Sequence, residues 1–168
     1  AVLTARNSGC KDLILLKCTS TYPASPENTN IRTIPHLREL FDCEVGISDH
    51  TMGVGVSVSA VALGATVIEK HFTDDCSRIG PDHSFALSPR EFSDMVKNVH
   101  DLKTILGTSD KSIQPNEKDT YYAQRRSICL SKDLLKGHII DPSDLDYLRP
   151  YLDDAFHPYE KNHLIGKI

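Results

Sequence analysis

Two short apolar runs that break off in histidine constrain this chain more than any other feature. One is Val45-Gly-Ile-Ser-Asp-His50-Thr51 and the other is Val67-Ile-Glu-Lys-His71-Phe72-Thr73. Each is the length of a buried strand, and each turns abruptly to polar, ligand-type residues at its carboxyl end. Side chains alternate along a strand, so Ser48 and His50 share one side of the first run, and Glu69 and His71 share one side of the second. Neighbouring strands lie about 5 Å apart, which lets two histidines at matching heights share one metal ion. The pair therefore predicts the floor of a metal-assisted site. The plainer alternative is that each histidine only satisfies a local hydrogen bond.

The flanking chain repeats the same plan. Leu13–Leu16 is a continuous apolar run, as expected of a parallel strand covered on both faces, and it ends in the polar loop Lys17–Pro23. Residues 30–41 have helical spacing, with Ile31, Ile34, Leu37, Leu40 and Phe41 on one side. After the strand Val45–Ile47, a helix rich in Val, Ala and Ser is expected from about Val54 to Leu63, stopped by Gly64. After the strand Thr66–Glu69 comes a longer loop through Gly80-Pro81-Asp82-His83. Ser88, Pro89 and Glu91 then form the clearest helix start in the chain, an N-cap, a first-turn proline and a capping box. Phe92, Met95, Val96, Val99, Leu102, Ile105 and Leu106 keep the helical period up to Gly107. Three strand–loop–helix units over residues 10–107 predict an α/β fold with a parallel sheet, either doubly wound or a barrel. In both, functional residues collect at the carboxyl ends of the strands. Residues 1–9 read as the tail of a helix, so the chain is expected to begin part-way through a larger domain.

The polar stretch that follows, with Pro115, reads as a linker over residues 109–119, between a domain at 1–108 and a second at 120–168. The second is expected to be small and mostly β. It has a strand at Arg126–Leu130, a hairpin over Lys132–Ile140, one helical turn at Ser143–Asp146, and then Tyr147–Pro150.

Composition removes several classes of function. With 168 residues and 39% hydrophobic content the chain can bury a core. Its net charge is −4, with no basic stripe, which argues against nucleic acid as partner. No apolar segment approaches the roughly 18 residues of a membrane span. The cysteines are five, scattered, and form no Cys-x-x-Cys pair, which fits reduced thiols and a cytoplasmic protein.

The motifs Cys18-Thr-Ser-Thr-Tyr-Pro23, Gly46-Ile-Ser-Asp-His-Thr51, Ala60-Val-Ala-Leu-Gly-Ala65, Glu69-Lys-His-Phe-Thr73 and Gly80-Pro-Asp82 together resemble the sialic acid synthase family. That family includes N-acetylneuraminate synthases and their legionaminate and pseudaminate relatives. Arg126, Lys136-Gly137 and Leu148-Arg149-Pro150 resemble the family's antifreeze-like (SAF) domain. The resemblance implies the C-terminal portion of a (β/α)8 TIM barrel, strands six to eight, followed by a small, mostly β SAF domain. It implies condensation of phosphoenolpyruvate with an N-acylated hexosamine such as N-acetylmannosamine, giving a nonulosonic acid and phosphate. By the same resemblance, His50 and His71 match ligands of a divalent metal, Mn²⁺ or Mg²⁺. His50, His71 and Asp82 form the catalytic set, and Asp82 contacts the sugar. Ser20 and Tyr22 match substrate-binding positions, Ser48 matches one that holds phosphoenolpyruvate, and Arg149 matches an arginine that reaches the site of a second copy in a homodimer. The family's other phosphate-binding and acid–base residues lie on earlier strands, so these residues alone are expected to be an incomplete synthase. Glu69 and Lys70 are expected to be a solvated pair, and His83 a surface residue. The other functional class left open is a non-catalytic carbohydrate-binding or assembly module.

Overall fold

The computed structural model describes residues Ala1–Ile168, which separate into two compact units, Ala1–Thr108 and Ser109–Ile168. Unit 1 opens with the short helix α1 (Val2–Asn7) and then alternates strand and helix. The order is β1 (Ile14–Cys18), α2 (Thr33–Phe41), β2 (Glu44–Asp49), α3 (Gly55–Ala62), β3 (Ile68–Lys70) and α4 (Pro89–Leu106). The strands pair in sequence order, all parallel. Parallel neighbours need a crossover, and the helices between them supply it.

One face of the sheet is apolar and carries the core. Val45 and Ile47 of β2 pack with Ile34 of α2, Ala60 of α3 and Ala65, and all five are buried. Ala60 and its neighbours are small, so α3 can lie close to the sheet. The α4 start follows the sequence signature. Ser88 Oγ accepts from Glu91 N, and the Glu91 carboxylate accepts from Ser88 N at 2.9 Å. Met95 and Leu102 are its buried residues, and the Phe92 ring meets Phe72 edge-on at 5.6 Å.

The opposite face is different, and it corrects the expectation for the first strand. Ile14 is 49% exposed and Leu16 37%, so β1 is covered on the helix side alone. Leu16, Gly46 and Val67 meet on this uncovered face. A Cβ at Gly46 would run into the Val67 carbonyl oxygen, and Leu16 Cδ2 would lie 2.8 Å away. Backbone cannot step aside as a side-chain tip can. Gly46→Ala is therefore expected to destabilise unit 1 by about 1–3 kcal/mol or more, read as a lowered urea midpoint.

Unit 2 departs further from its expected plan. A 3₁₀ turn at Pro115–Glu117 leads directly into α5 (Lys118–Gln124), where the sequence reads as linker and loop. Glu117 accepts from Gln114 N at 2.8 Å, a start signal hidden by the polar run around it, and the helix is too short to show a period. Lys132–Ile140 forms turns and no hairpin. Instead β4 (Ser127–Leu130) pairs antiparallel with β5 (Leu145–Leu148). The expected helical turn is a 3₁₀ turn one residue earlier, Pro142–Asp144, because the Asp141 side chain accepts from Ser143 N.

Asp144 is buried at the hub of this unit. Its carboxylate takes Lys132 Nζ at 2.8 Å, His138 Nε2 at 2.7 Å and Asp141 N at 3.0 Å. The Lys132 ammonium above all, then the Asp141 amide and His138, hold this carboxyl far below the usual range. A folded-state value below the unfolded one gives stability that is present above the ordinary aspartate pKa and lost as pH falls below it. Unit 2 is thus expected to lose stability as pH drops below about 4, the ordinary aspartate value. Circular dichroism of Asp144→Asn should show a flatter acid limb than the parent.

Candidate functional site

Strand register builds the site. Cys18 lies opposite Ser48, and Ser48 opposite Glu69, so these three side chains form a row across the uncovered face. Ser48 Oγ donates to Glu69 Oε1 at 2.7 Å, which ties the row together. Two residues further along β2 and β3, His50 and His71 stand above it on the same side. Their ring centroids are 5.3 Å apart, and a cleft of about 240 Å³ is lined by Ser48, His50, Glu69, Lys70 and His71.

Loops at the strand ends fix the two histidines. His50 accepts at its backbone oxygen from Ala24 N, and His71 from Leu87 N, both at 2.9 Å. His50 Nδ1 lies 3.1 Å from the Thr19 carbonyl oxygen. A carbonyl can only accept, so Nδ1 carries the proton and the neutral ring keeps its lone pair on Nε2. Cys18 Sγ is 3.8 Å from the same Nδ1. His71 is half-buried, with Nδ1 3.8 Å from Asp82 Oδ2, beyond hydrogen-bond reach. The Tyr22 ring lies 4.3 Å from His50 and 6.1 Å from His71. Buried Phe85 stands 5.0 Å from His71 and walls the far side.

Of the residues singled out from sequence, Tyr22, Ser48, His50, His71 and Asp82 thus come together. Ser20 stands at the rim, its Oγ 3.6 Å from Cys18 Sγ. Arg149 is an exposed residue of unit 2, directly after β5. Thr19 acts through its backbone carbonyl, which no side-chain pattern marks, and Phe85 carries no sequence signal.

Lys70 is the main correction. Its side chain is 1% exposed, not solvated, and Nζ donates to Asp49 Oδ2 at 2.9 Å and to the Thr51 carbonyl at 2.7 Å. Asp49 also accepts from Thr51 N, Thr51 Oγ1 and Ser57 Oγ. Burial pushes the Asp49 carboxyl up, but Ser57, Thr51 and Lys70 outweigh it and hold the group below the usual range. His83 is likewise no free surface residue, since Nδ1 bonds Thr73 Oγ1 at 2.7 Å.

The donor set suits a divalent cation. Imidazole and carboxylate together bind Mn²⁺, Zn²⁺ and related ions, and His50 offers Nε2 with Nδ1 already committed to an acceptor, as metal-bound histidines do. No group of three or more His, Cys, Asp and Glu side chains is gathered at ligand spacing. His50 and His71 are thus the two imidazoles this chain brings together at the cleft, with the Asp82 carboxylate beside His71.

A parallel sheet with its polar cleft at the strands' carboxyl ends defines an α/β protein, and likeness to solved structures makes it partial-TIM-barrel-like. Residues 1–111 match the model of the NeuB family, and the chain belongs to that family. It is similar to N,N'-diacetyllegionaminic acid synthase of Legionella pneumophila, 43% identical over 160 residues that cover 95% of this chain and 44% of the relative. It is also similar to pseudaminic acid synthase of Campylobacter jejuni, 41% identical over 93% of this chain and 45% of the relative. Among solved structures, the spore coat polysaccharide biosynthesis protein spsE of Bacillus subtilis matches with a TM-score of 0.58 and 31% identity, covering 99% of this chain and 51% of that one. The chain thus spans about half the length of the relatives it matches. No helix is long and apolar enough to cross a membrane.

Proposed function

We propose that the chain forms the metal-holding part of a phosphoenolpyruvate-dependent nonulosonic acid synthase. The approach of His50 and His71 over an open cleft, in a chain of the NeuB family, is the observation that supports this most. In the reaction the methylene carbon of phosphoenolpyruvate bonds to the aldehyde carbon of an open-chain N-acylated hexosamine. Water then adds at the phosphate-bearing carbon, phosphate leaves, and a nine-carbon 2-keto acid remains.

His50 and His71 would hold Mn²⁺ or Mg²⁺, which supplies Lewis-acid polarisation of the aldehyde. Asp82 beside His71 and Tyr22 beside His50 would orient the sugar's hydroxyls, with Ser20 at the rim. Ser48 would hold phosphoenolpyruvate by turning its hydroxyl from Glu69 to the anion. Unit 2 is read as the SAF domain, with Arg149 its contribution to the sugar site of a second copy in a homodimer. Relatives named for diacetyllegionaminic acid, pseudaminic acid and, in Homo sapiens, N-acetylneuraminate 9-phosphate leave the acceptor open between sugars with one and with two acylated amines. N-acetylmannosamine is the first to test.

The test is phosphate release from phosphoenolpyruvate with Mn²⁺ and each acceptor, in an assembly that includes this chain. Arg149→Ala is expected to raise KM for the sugar about tenfold or more, as loss of a charged hydrogen bond of 1.5–3 kcal/mol requires, and to leave KM for phosphoenolpyruvate nearly unchanged. The reverse order would remove Arg149 from the sugar site. Binding of the sugar with no phosphate release under any condition would favour the carbohydrate-binding module instead.

A further inference from the structure

We propose that Asp49 and Lys70 are positioning residues that set the spacing of His50 and His71 from the opposite face of the sheet. The inference rests on the metal-site reading above and adds to it the device that builds the pair. Asp49 and Lys70 are register partners on β2 and β3, and each immediately precedes one of the two histidines. Alternation sends the ion pair to the helix side and the imidazoles to the cleft. A slip of one residue between the strands would throw one histidine to the wrong face. The ion pair opposes that slip, because parting Asp49 from Lys70 leaves two buried charges unmatched, with side-chain exposures of 0% and 1%.

The same network grips the chain just past His50. Thr51 gives its amide and its hydroxyl to Asp49 Oδ1 at 2.9 and 2.7 Å, and its carbonyl accepts from Lys70. Ser57 of α3, fully buried, donates to Asp49 Oδ2 at 2.6 Å. Residues on both sides of the His50 peptide are therefore anchored to β3 and to α3. Thr19 then sets the His50 ring through Nδ1. Neither Asp49 nor Lys70 faces the cleft with its charge, so neither is assigned contact with substrate or metal.

The experiment uses the metal-free 168-residue chain and reads two quantities. The first is the nuclear Overhauser effect between ring protons of His50 and His71, which reports spacing without any metal. The second is Mn²⁺ affinity by calorimetry. Lys70→Met is expected to abolish the inter-ring signal and weaken Mn²⁺ binding about 10–100-fold, the usual cost of losing support behind a ligand. Ser57→Ala keeps the ion pair and should move both readouts the same way by less, which decides the matter if Lys70→Met does not fold. Leu37→Ala, a change in core packing that removes none of the network's hydrogen bonds, should lower stability and leave both readouts as in the parent. Unchanged signal and affinity in folded Lys70→Met or Ser57→Ala would overturn the proposal, as would absence of the inter-ring signal in the parent. A parent with the signal but no Mn²⁺ binding would sink the metal reading alone.

Discussion

Lys70→Met is expected to cost unit 1 about 3–5 kcal/mol, because it leaves the Asp49 carboxylate buried without its cation. Few single changes in this chain should do more harm. The mechanism makes a second, sharper expectation. Asp49→Asn in the same molecule removes the orphaned charge and still offers an oxygen to Thr51 and Ser57. The double variant should therefore be more stable than Lys70→Met alone, with a coupling of about 1–3 kcal/mol between the two sites. Urea denaturation of the parent, both single variants and the double variant closes the cycle. A loss below about 1 kcal/mol in Lys70→Met, the range of an exposed pair, would mean that the pair does not hold β2 to β3.

His50→Ala and His71→Ala are expected to have the largest effect on binding. Each removes one of two imidazoles, so Mn²⁺ affinity should fall by at least about 100-fold, more than loss of a supporting residue costs. Neither histidine packs as a major core residue, and the hydrophobic core lies on the other side of the sheet. Thermal unfolding should therefore shift less than in Lys70→Met, more for buried His50 than for half-buried His71, which separates a lost ligand from a lost fold. In an assembly that releases phosphate, both variants should lose the metal-dependent rate. A rate and affinity equal to the parent's would remove the histidines from the metal role.

The parallel α/β order was legible because each strand is an apolar run and each helix has its period or its cap. Ser88, Pro89 and Glu91 mark α4 with local chemistry that needs no tertiary context. The meeting of His50 and His71 was legible from alternation and strand spacing, because each histidine stands just past a short apolar run. The buried state of Lys70 was not, because a lysine beside a glutamate looks solvated unless its cross-strand partner is known. Asp49 is that partner, 21 residues away, and the alternation that placed the histidines together would also have placed this pair. Unit 2 was legible least. Its Asp144 hub joins Lys132, His138 and Asp141 through turns of irregular backbone, where no period repeats.

The alternation of β2 and β3 has a consequence for engineering. Two dipeptides, Asp49-His50 and Lys70-His71, put an ion pair on one face of two parallel strands and two imidazoles on the other, with Thr19, Thr51 and Ser57 completing the supports. Such a cassette is portable. Installed on another parallel strand pair with a serine on the covering helix, it offers a compact way to design a bis-imidazole metal platform. Within this chain, the cleft residues can be varied to change what is bound while the clamp behind them stays as it is.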